Sequence, residues 1–430
     1  MTDKVLYLGY CNQERTVIIR GGNRVIDMNT PELVAPAGNP EKLTTALHYG
    51  ADAVFLGLSQ FSLRAKADNF SQNDLKEAIR LVHQKGKKAY VTINIFPHNR
   101  DISSIKDHLL FLNGAEPDGI IVSDTGAFEL AAEVSPDIPI HISTQANITN
   151  FRSARFWEKL GAKRLVLSRE ITIDEIRGIR DNVAIELECF VHGAICISYS
   201  GRCYISSFQA NRSANRGECT NSCRWNYALM EEKRQGEFSP VYENDRGTFI
   251  LSSRDLCMIE HLDKLAEAGV NSFKIEGRTK GVNYVAGVVK TYREAIDSLG
   301  KGPYIVNGDW LGELSMFSNR GYTTGMFFGS QPDDGYNHDE KCIYSMSHEL
   351  VGVVRSVSDG KGLVALRNTL KLGDNIEFLS QGLAKSLFEV KEILDEKGRP
   401  VDSGRNEETV LIQLQPGVKE NDLIRRPKLS

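Results

Sequence analysis

From residue 32 onward, short apolar β-branched runs alternate with amphipathic segments, and no other feature restricts the fold so strongly. The runs are ELVAPAG (32–38), AVFLG (53–57), AYVTINI (89–95), GIIVSD (119–124), PIHISTQ (139–145), RLVLSRE (164–170), AIELECF (184–190) and SFKIEG (272–277). Nearly continuous apolar strands of this length suit a parallel sheet buried on both faces. The intervening segments repeat at helical spacing. In NDLKEAIRLVHQKG (73–86), Leu75, Ala78, Ile79 and Val82 form one stripe, and Gly161 is a C-terminal stop for FRSARFWEKLG (151–161). A last helix is expected over 281–300. Eight strand–helix units close a barrel, so the predicted fold is α/β, a TIM-type (β/α) eight-fold barrel.

The seventh unit is abnormal. About eighty residues separate strand seven from strand eight. The helix of that unit is expected as DLCMIEHLDKLAEAG (255–269), and before it runs an insertion, 189–254, with five of the eight cysteines. In this fold the loops after strands build the C-terminal face, where active sites lie. Topology alone therefore delivers the cysteine segment to the catalytic end.

A chain of 430 residues exceeds one compact core. Residues 1–30 read as an N-terminal β extension, 31–300 as the barrel and 301–345 as connecting loops rich in Gly, Asn and Asp. Over 346–430 the pattern becomes short alternating strands with turn signals (VGVVRSVSDGKGLVALRN, GDNIEFLS, ETVLIQLQPG), which predicts a small β-barrel domain. No stretch approaches the ~20 apolar residues of a bilayer span, and the N-terminus lacks the layout of a signal peptide, so a cytoplasmic protein without membrane contact is expected. In a reducing compartment, clustered cysteines are metal ligands or catalytic groups more often than disulfides. The net charge of −4 excludes nucleic-acid binding through the whole surface and confines any such contact to a local patch.

The segment that carries chemistry is CFVHGAICISYSGRCYISSFQANRSANRGECTNSCRWNY, Cys189 to Tyr227. Six residues separate Cys196 from Cys203, fifteen separate Cys203 from Cys219, and three separate Cys219 from Cys223. Four thiolates from one loop can reach a single centre, which suits a [4Fe–4S] cluster and equally a structural Zn site. Cys189, at the end of strand seven, is either a fifth candidate or a core-packing residue, Cys257 reads as structural, and Cys11 and Cys342 carry no signal. His192 follows strand seven and is either a proton donor or a group that ties the loop down. Glu276 and Arg278, in KIEGR at the end of strand eight, either bind a polar substrate or pair with each other. Gln145 and Asn147 close strand five as candidate substrate hydrogen-bonders, and Asn94 closes strand three at the same rim. Arg202, Arg212, Arg216 and Arg224 are interleaved with Tyr199, Tyr204, Phe208, Trp225 and Tyr227. Such a mixture suits phosphate contact with base stacking, or compensation of an anionic cluster.

At ELVAPAGNPEKLTTALHYGADAVFLG, FVHGAICISYSGRCYISS, NRGECTNSCRW and SFKIEGR the chain closely resembles the collagenase-like proteins of peptidase family U32, from about residue 30 to the C-terminus. With SRDLCMIEHL and the C-terminal β domain, it is most similar to the branch that hydroxylates the wobble uridine of tRNA in a prephenate-dependent reaction. The resemblance implies an oxygen-sensitive [4Fe–4S] cluster on Cys196, Cys203, Cys219 and Cys223, with Cys257 as the alternative fourth ligand. It also implies tRNA and a small-molecule co-substrate, prephenate or a derivative, as partners, and loading by iron–sulfur assembly machinery. His192, Glu276, Arg278 and Gln145 then stand as catalytic candidates, with Arg202, Arg212, Arg216 and Arg224 as RNA-binding ones. Two other functions remain open: a peptidase, as the family name implies, and an RNA-binding protein with structural zinc. No HExxH run occurs, and His192 with Cys196 is a close Cys/His pair.

Overall fold

The computed structural model describes residues 30–58, 60–62, 69–196, 198–224, 253–329, 346–383 and 385–428, together with two-residue antiparallel strand pairs at 16–17 with 26–27 and 243–244 with 247–248. Cys11 and Cys342 fall outside these residues.

Eight parallel strands follow one another round a barrel: β1 (Glu32–Pro36), β2 (Ala53–Leu56), β3 (Lys88–Ile93), β4 (Gly119–Val122), β5 (Ile140–Ile142), β6 (Arg164–Val166), β7 (Glu186–Ala194) and β8 (Ser272–Ile275). β8 pairs with both β7 and β1, which closes the ring. The surrounding helices are α1 (Pro40–His48), α2 (Gln72–Gln84), α3 (Ile102–Asn113), α4 (Thr125–Val134), α5 (Phe151–Lys159), α6 (Ile173–Arg180), α7 (Leu262–Glu267) and α8 (Val282–Ser298). Asn39, Ser71, Asp124, Asn150 and Thr172 each accept a first-turn N–H with the side chain, satisfying donors that the helix itself leaves open. The stripe Leu75, Ala78, Ile79 and Val82 is buried. No helix among the described residues is long and apolar enough to cross a membrane.

The main core fills the layer between barrel and helices. A small separate cluster inside the barrel consists of Val34, Ala53, Phe55, Tyr90 and Ile121. The rest of the barrel floor is charged. Arg164 donates to Glu32 at 2.6 Å and to Glu188 at 3.0 Å, and pairs with Glu186 at 2.7 Å; Lys274 Nζ reaches Glu188 at 2.7 Å. Burial alone would raise the Glu188 carboxyl, but Lys274 and Arg164 outweigh it and hold the group down at about 2.

Two regions differ from the sequence expectation. Asp255–Cys257, expected as the first turn of a helix, is a short strand antiparallel to the end of β7, and the helix begins only at Leu262. β7 runs on to Ala194, past the rim, so its backbone there needs partners. Asp255 is locked in place by a buried ion pair to Arg320 at 2.6 Å. Ladder bonds plus that pair outweigh helix propensity, which is worth only about 0.7 kcal/mol per residue at most for ordinary residues. Segment 301–336, expected as loops, contains a helix, Asp309–Ser315, with Trp310 and Leu314 buried. It also holds a strand, Tyr322–Thr323, parallel to Asp255–Cys257.

The C-terminal part is a seven-stranded antiparallel sheet with its own apolar core. Its longer strands are β9 (His348–Ser358), β10 (Lys361–Leu366), β11 (Asn375–Leu379), β12 (Thr409–Gln413) and β13 (Leu423–Pro427). Tyr49 on the barrel donates to Leu379 O at 2.6 Å and accepts from Leu423 N–H at 2.9 Å, while Glu41 receives Arg355 and Arg367.

Candidate functional site

The C-terminal ends of the barrel strands open into a cleft with about 100 Å³ of free space. Strand ends supply Phe55, Thr92, Asn94, Gln145, Arg169, Phe190, Lys274, Glu276 and Arg278; the insertion supplies Cys196, Ser198, Ser200, Cys203 and Cys219 as its roof. Six of the residues singled out from sequence, Gln145, Glu276, Arg278, Cys196, Cys203 and Cys219, therefore face one space, as does Asn94.

Arg278 is buried, with its guanidinium bonded to Ser62, Thr92 and Asn69, and its carbonyl accepts Lys42 Nζ at 3.4 Å. Gly57 makes the room: a Cβ there would lie 2.6 Å from Arg278 Nη2. Gln145 sits on a one-turn 3-10 helix, Thr144–Ala146, just beyond β5. The roof is pinned at several points. Ser200 bonds Glu170 through both its N–H and hydroxyl, Asn215 exchanges two bonds with the Cys203 backbone, and Ser206 bonds Thr220.

His192 is not part of the cleft. Along β7, Glu188 and Phe190 point into the barrel, and simple alternation would send His192 the same way. Opposite β8 the register shifts, however: Lys274 faces Phe190 and Ile275 faces His192, so Val191 is an extra residue and the chain turns over. His192 is thereby only 1% exposed and lies among Tyr284, Tyr292 and Tyr322, its Nδ1 3.3 Å from the Tyr292 hydroxyl. Burial pushes its pKa down to about 3. The next residue, Gly193, takes φ +105° where a Cβ would strike the Glu276 carbonyl at 2.5 Å, a position that suits glycine alone. The expectation that His192 handles protons at the site is corrected on this ground.

Other candidates are also placed elsewhere. Asn147, in the left-handed region, spends its Oδ1 on Ser168 at 3.2 Å. Cys189 is buried in the outer core, and Cys257 packs in the short strand with its sulfur 3.7 Å from the Tyr292 hydroxyl and burial raising its thiol to about 11. Neither lines the cleft. Arg216 makes a two-pronged ion pair with Asp101, at 2.6 and 3.0 Å, whose hydrogen bonding keeps that carboxyl well below the ordinary carboxylate range. Arg216 therefore ties the roof to the start of α3 and is not offered outward. Arg202 is exposed and donates to the Gln145 carbonyl at 3.3 Å; Arg212 is half-buried with Nε lacking a bond. Tyr199 and the 74% exposed Tyr204 stand beside them. The Arg224 side chain, Trp225 and Tyr227 fall outside the described residues.

Sequence reasoning missed Lys274, Arg169, Ser198 and Ser200. The signal for Lys274 was present: a charge inside an apolar strand, like Arg164 and Glu188 in theirs, marks an inward position when both barrel faces are buried.

The donor set suits a thiolate-bound centre in kind and in place. Cys196 and Cys219 are exposed, and Cys203 and Cys223 are half-buried, all on one loop above the barrel. The sulfurs are not drawn round one point: among the described residues no group of three His, Cys, Asp or Glu is gathered as a metal site. Cys223 does not line the cleft, although it lies three residues beyond Cys219.

Comparison with known proteins gives two family matches: Peptidase family U32 over residues 38–337, and the Peptidase family U32 C-terminal domain over 346–425. The chain is 38% identical to tRNA hydroxylation protein P1 of Bacillus subtilis, covering 95% of this chain and 98% of that one. It is 35% identical to tRNA hydroxylation protein P of Escherichia coli, over 88% and 92% of the two chains. A protein named collagenase from Porphyromonas gingivalis is 35% identical over 71% of this chain and 75% of its own.

Proposed function

The chain belongs to peptidase family U32, and on that premise we propose that it is an RNA-modifying enzyme that hydroxylates C5 of the wobble uridine in tRNA. One observation carries the proposal: three loop cysteines share a single cleft with Gln145, Glu276 and Arg278, at the face where this fold does its chemistry. Cys196, Cys203, Cys219 and Cys223 would hold a [4Fe–4S] cluster, which when bound supplies one-electron chemistry at the barrel mouth. Loading would draw the four sulfurs together, because metal binding and loop ordering are coupled.

The protein's own groups have separate tasks. Arg278, fixed by Ser62, Thr92 and Asn69, presents positive charge suited to the carboxylates of prephenate or a derivative. Glu276, just beyond β8 and lining the cleft, would take or return a proton. Arg202 and Arg212 meet phosphates, while the exposed Tyr199 and Tyr204 offer stacking faces to unpaired bases. Peptidase chemistry through a cysteine would need a histidine beside the sulfur. Among the described residues no histidine lines the cleft, and His192 faces the opposite layer.

The test is purification under nitrogen with iron, sulfide and zinc analysis, followed by nucleoside mass spectrometry of tRNA from a deletion strain. The expected result is about four iron and four sulfide per chain, with hydroxylated uridine restored by the wild-type gene and not by Cys219→Ser. Zinc alone with unmodified tRNA would sink the proposal, as would peptide hydrolysis that survives Cys219→Ser.

A further inference from the structure

The cleft holds a buried polar group that the protein leaves unsatisfied. Gln145 is 2% exposed; its Oε1 accepts from Ser143 Oγ at 3.0 Å, but Nε2 has no hydrogen-bond partner among the described residues. Ser143 Oγ accepts the Gln145 backbone N–H at 3.5 Å and directs its own proton to Oε1. The turn is braced on both sides: Thr144 Oγ1 donates to Leu167 O at 2.9 Å, and Arg202 Nε donates to the Gln145 carbonyl at 3.3 Å. Backbone and side-chain oxygen are thus committed, while Gln145 lines the cleft with its NH2 group unbonded. Buried donors without an acceptor are rare in folded proteins, so the acceptor is to be sought in the ligand.

We infer that Gln145 selects the base: its Nε2 donates to the O4 keto oxygen of uracil and rejects cytosine. This rests on the RNA-hydroxylation function proposed above. Cytosine carries an amino group where uracil carries O4, so the same pose would set two N–H donors against each other and bury both unpaired. A site built around one required hydrogen bond discriminates far more strongly than one built on shape. The buried Ser198 Oγ, which also lines the cleft, both donates and accepts and so does not distinguish the two bases. A target in a single-stranded loop offers its Watson–Crick edge without strand opening.

The experiment compares wild type, Gln145→Leu and Gln145→Glu, purified under nitrogen, for binding of two tRNA transcripts that carry U or C at the wobble position. Wild type is expected to favour the U transcript, Gln145→Leu to bind both equally, and the isosteric Gln145→Glu, an acceptor in place of a donor, to favour C. Hydroxyuridine in the complemented strain should fall roughly a hundredfold with Gln145→Leu, while iron and sulfide content stay at the wild-type level. A Gln145→Leu protein that keeps both the U preference and the hydroxyuridine level overturns this inference alone. A wild-type gene that restores no hydroxyuridine overturns it together with the function on which it rests.

Discussion

The floor and the mouth of the barrel treat their polar groups in opposite ways. On the floor, Arg164, Glu188, Lys274 and Glu32 are buried or nearly so, and the charges pair at 2.6–3.0 Å. At the mouth, Gln145 keeps a donor open, and Cys196 and Cys219 are exposed. Charges removed from water are tolerable only when paired, so the floor is finished by folding itself. The mouth is completed by what it binds. Both ends are built on the same strand: β7 supplies Glu188 to the floor and Phe190 to the cleft, then turns His192 out of the barrel at its bulge.

The contrast can be broken most severely at the floor. Arg164→Met leaves Glu188 and Glu32 facing one another, and unfolding in urea should show a loss of about 3–5 kcal/mol, whereas Gln145→Leu at the mouth should cost under about 1 kcal/mol. Equal losses would erase the distinction between the two ends. A smaller effect concerns pH. The folded pKa of His192 is depressed to about 3 by burial, while an unfolded histidine titrates near 6.5. Between those values the unfolded chain binds the extra proton, so stability is complete above about pH 6.5 and is lost as pH falls toward 3, by up to about 1.4 kcal/mol per pH unit for this group. His192→Gln should flatten the stability–pH curve by about one proton between pH 4 and 6; an unchanged slope would mean that His192 is not sealed among its tyrosines. The smallest effect separates the arginines. Arg202→Ala should lower the slope of log Kd for tRNA against log salt by about 1, and Arg216→Ala, whose charge Asp101 already holds, should leave it unchanged.

Much of this architecture was legible because it depends on local patterning. Apolar runs at strand spacing and stripes at helix spacing mark the eight units, since a strand buried on both faces cannot carry polar residues freely. The cysteine spacing and its position after strand seven likewise place the roof of the cleft. Other features depend on partners distant in the chain. DLCMIEHL reads as helix, yet Asp255–Cys257 pairs with β7 and Asp255 with Arg320, 65 residues later. Arg216 looks like a nucleic-acid contact until Asp101, 115 residues earlier, takes its charge.

The sequence by itself therefore determined the barrel, the appended β domain and which loop carries the cysteines, because periodicity and element order are properties of the chain alone. Only the tertiary structure decided which polar side chains face the cleft. A single extra residue in β7 against β8 turned His192 out of the barrel at the rim, and register is a property of two strands together, invisible in either one.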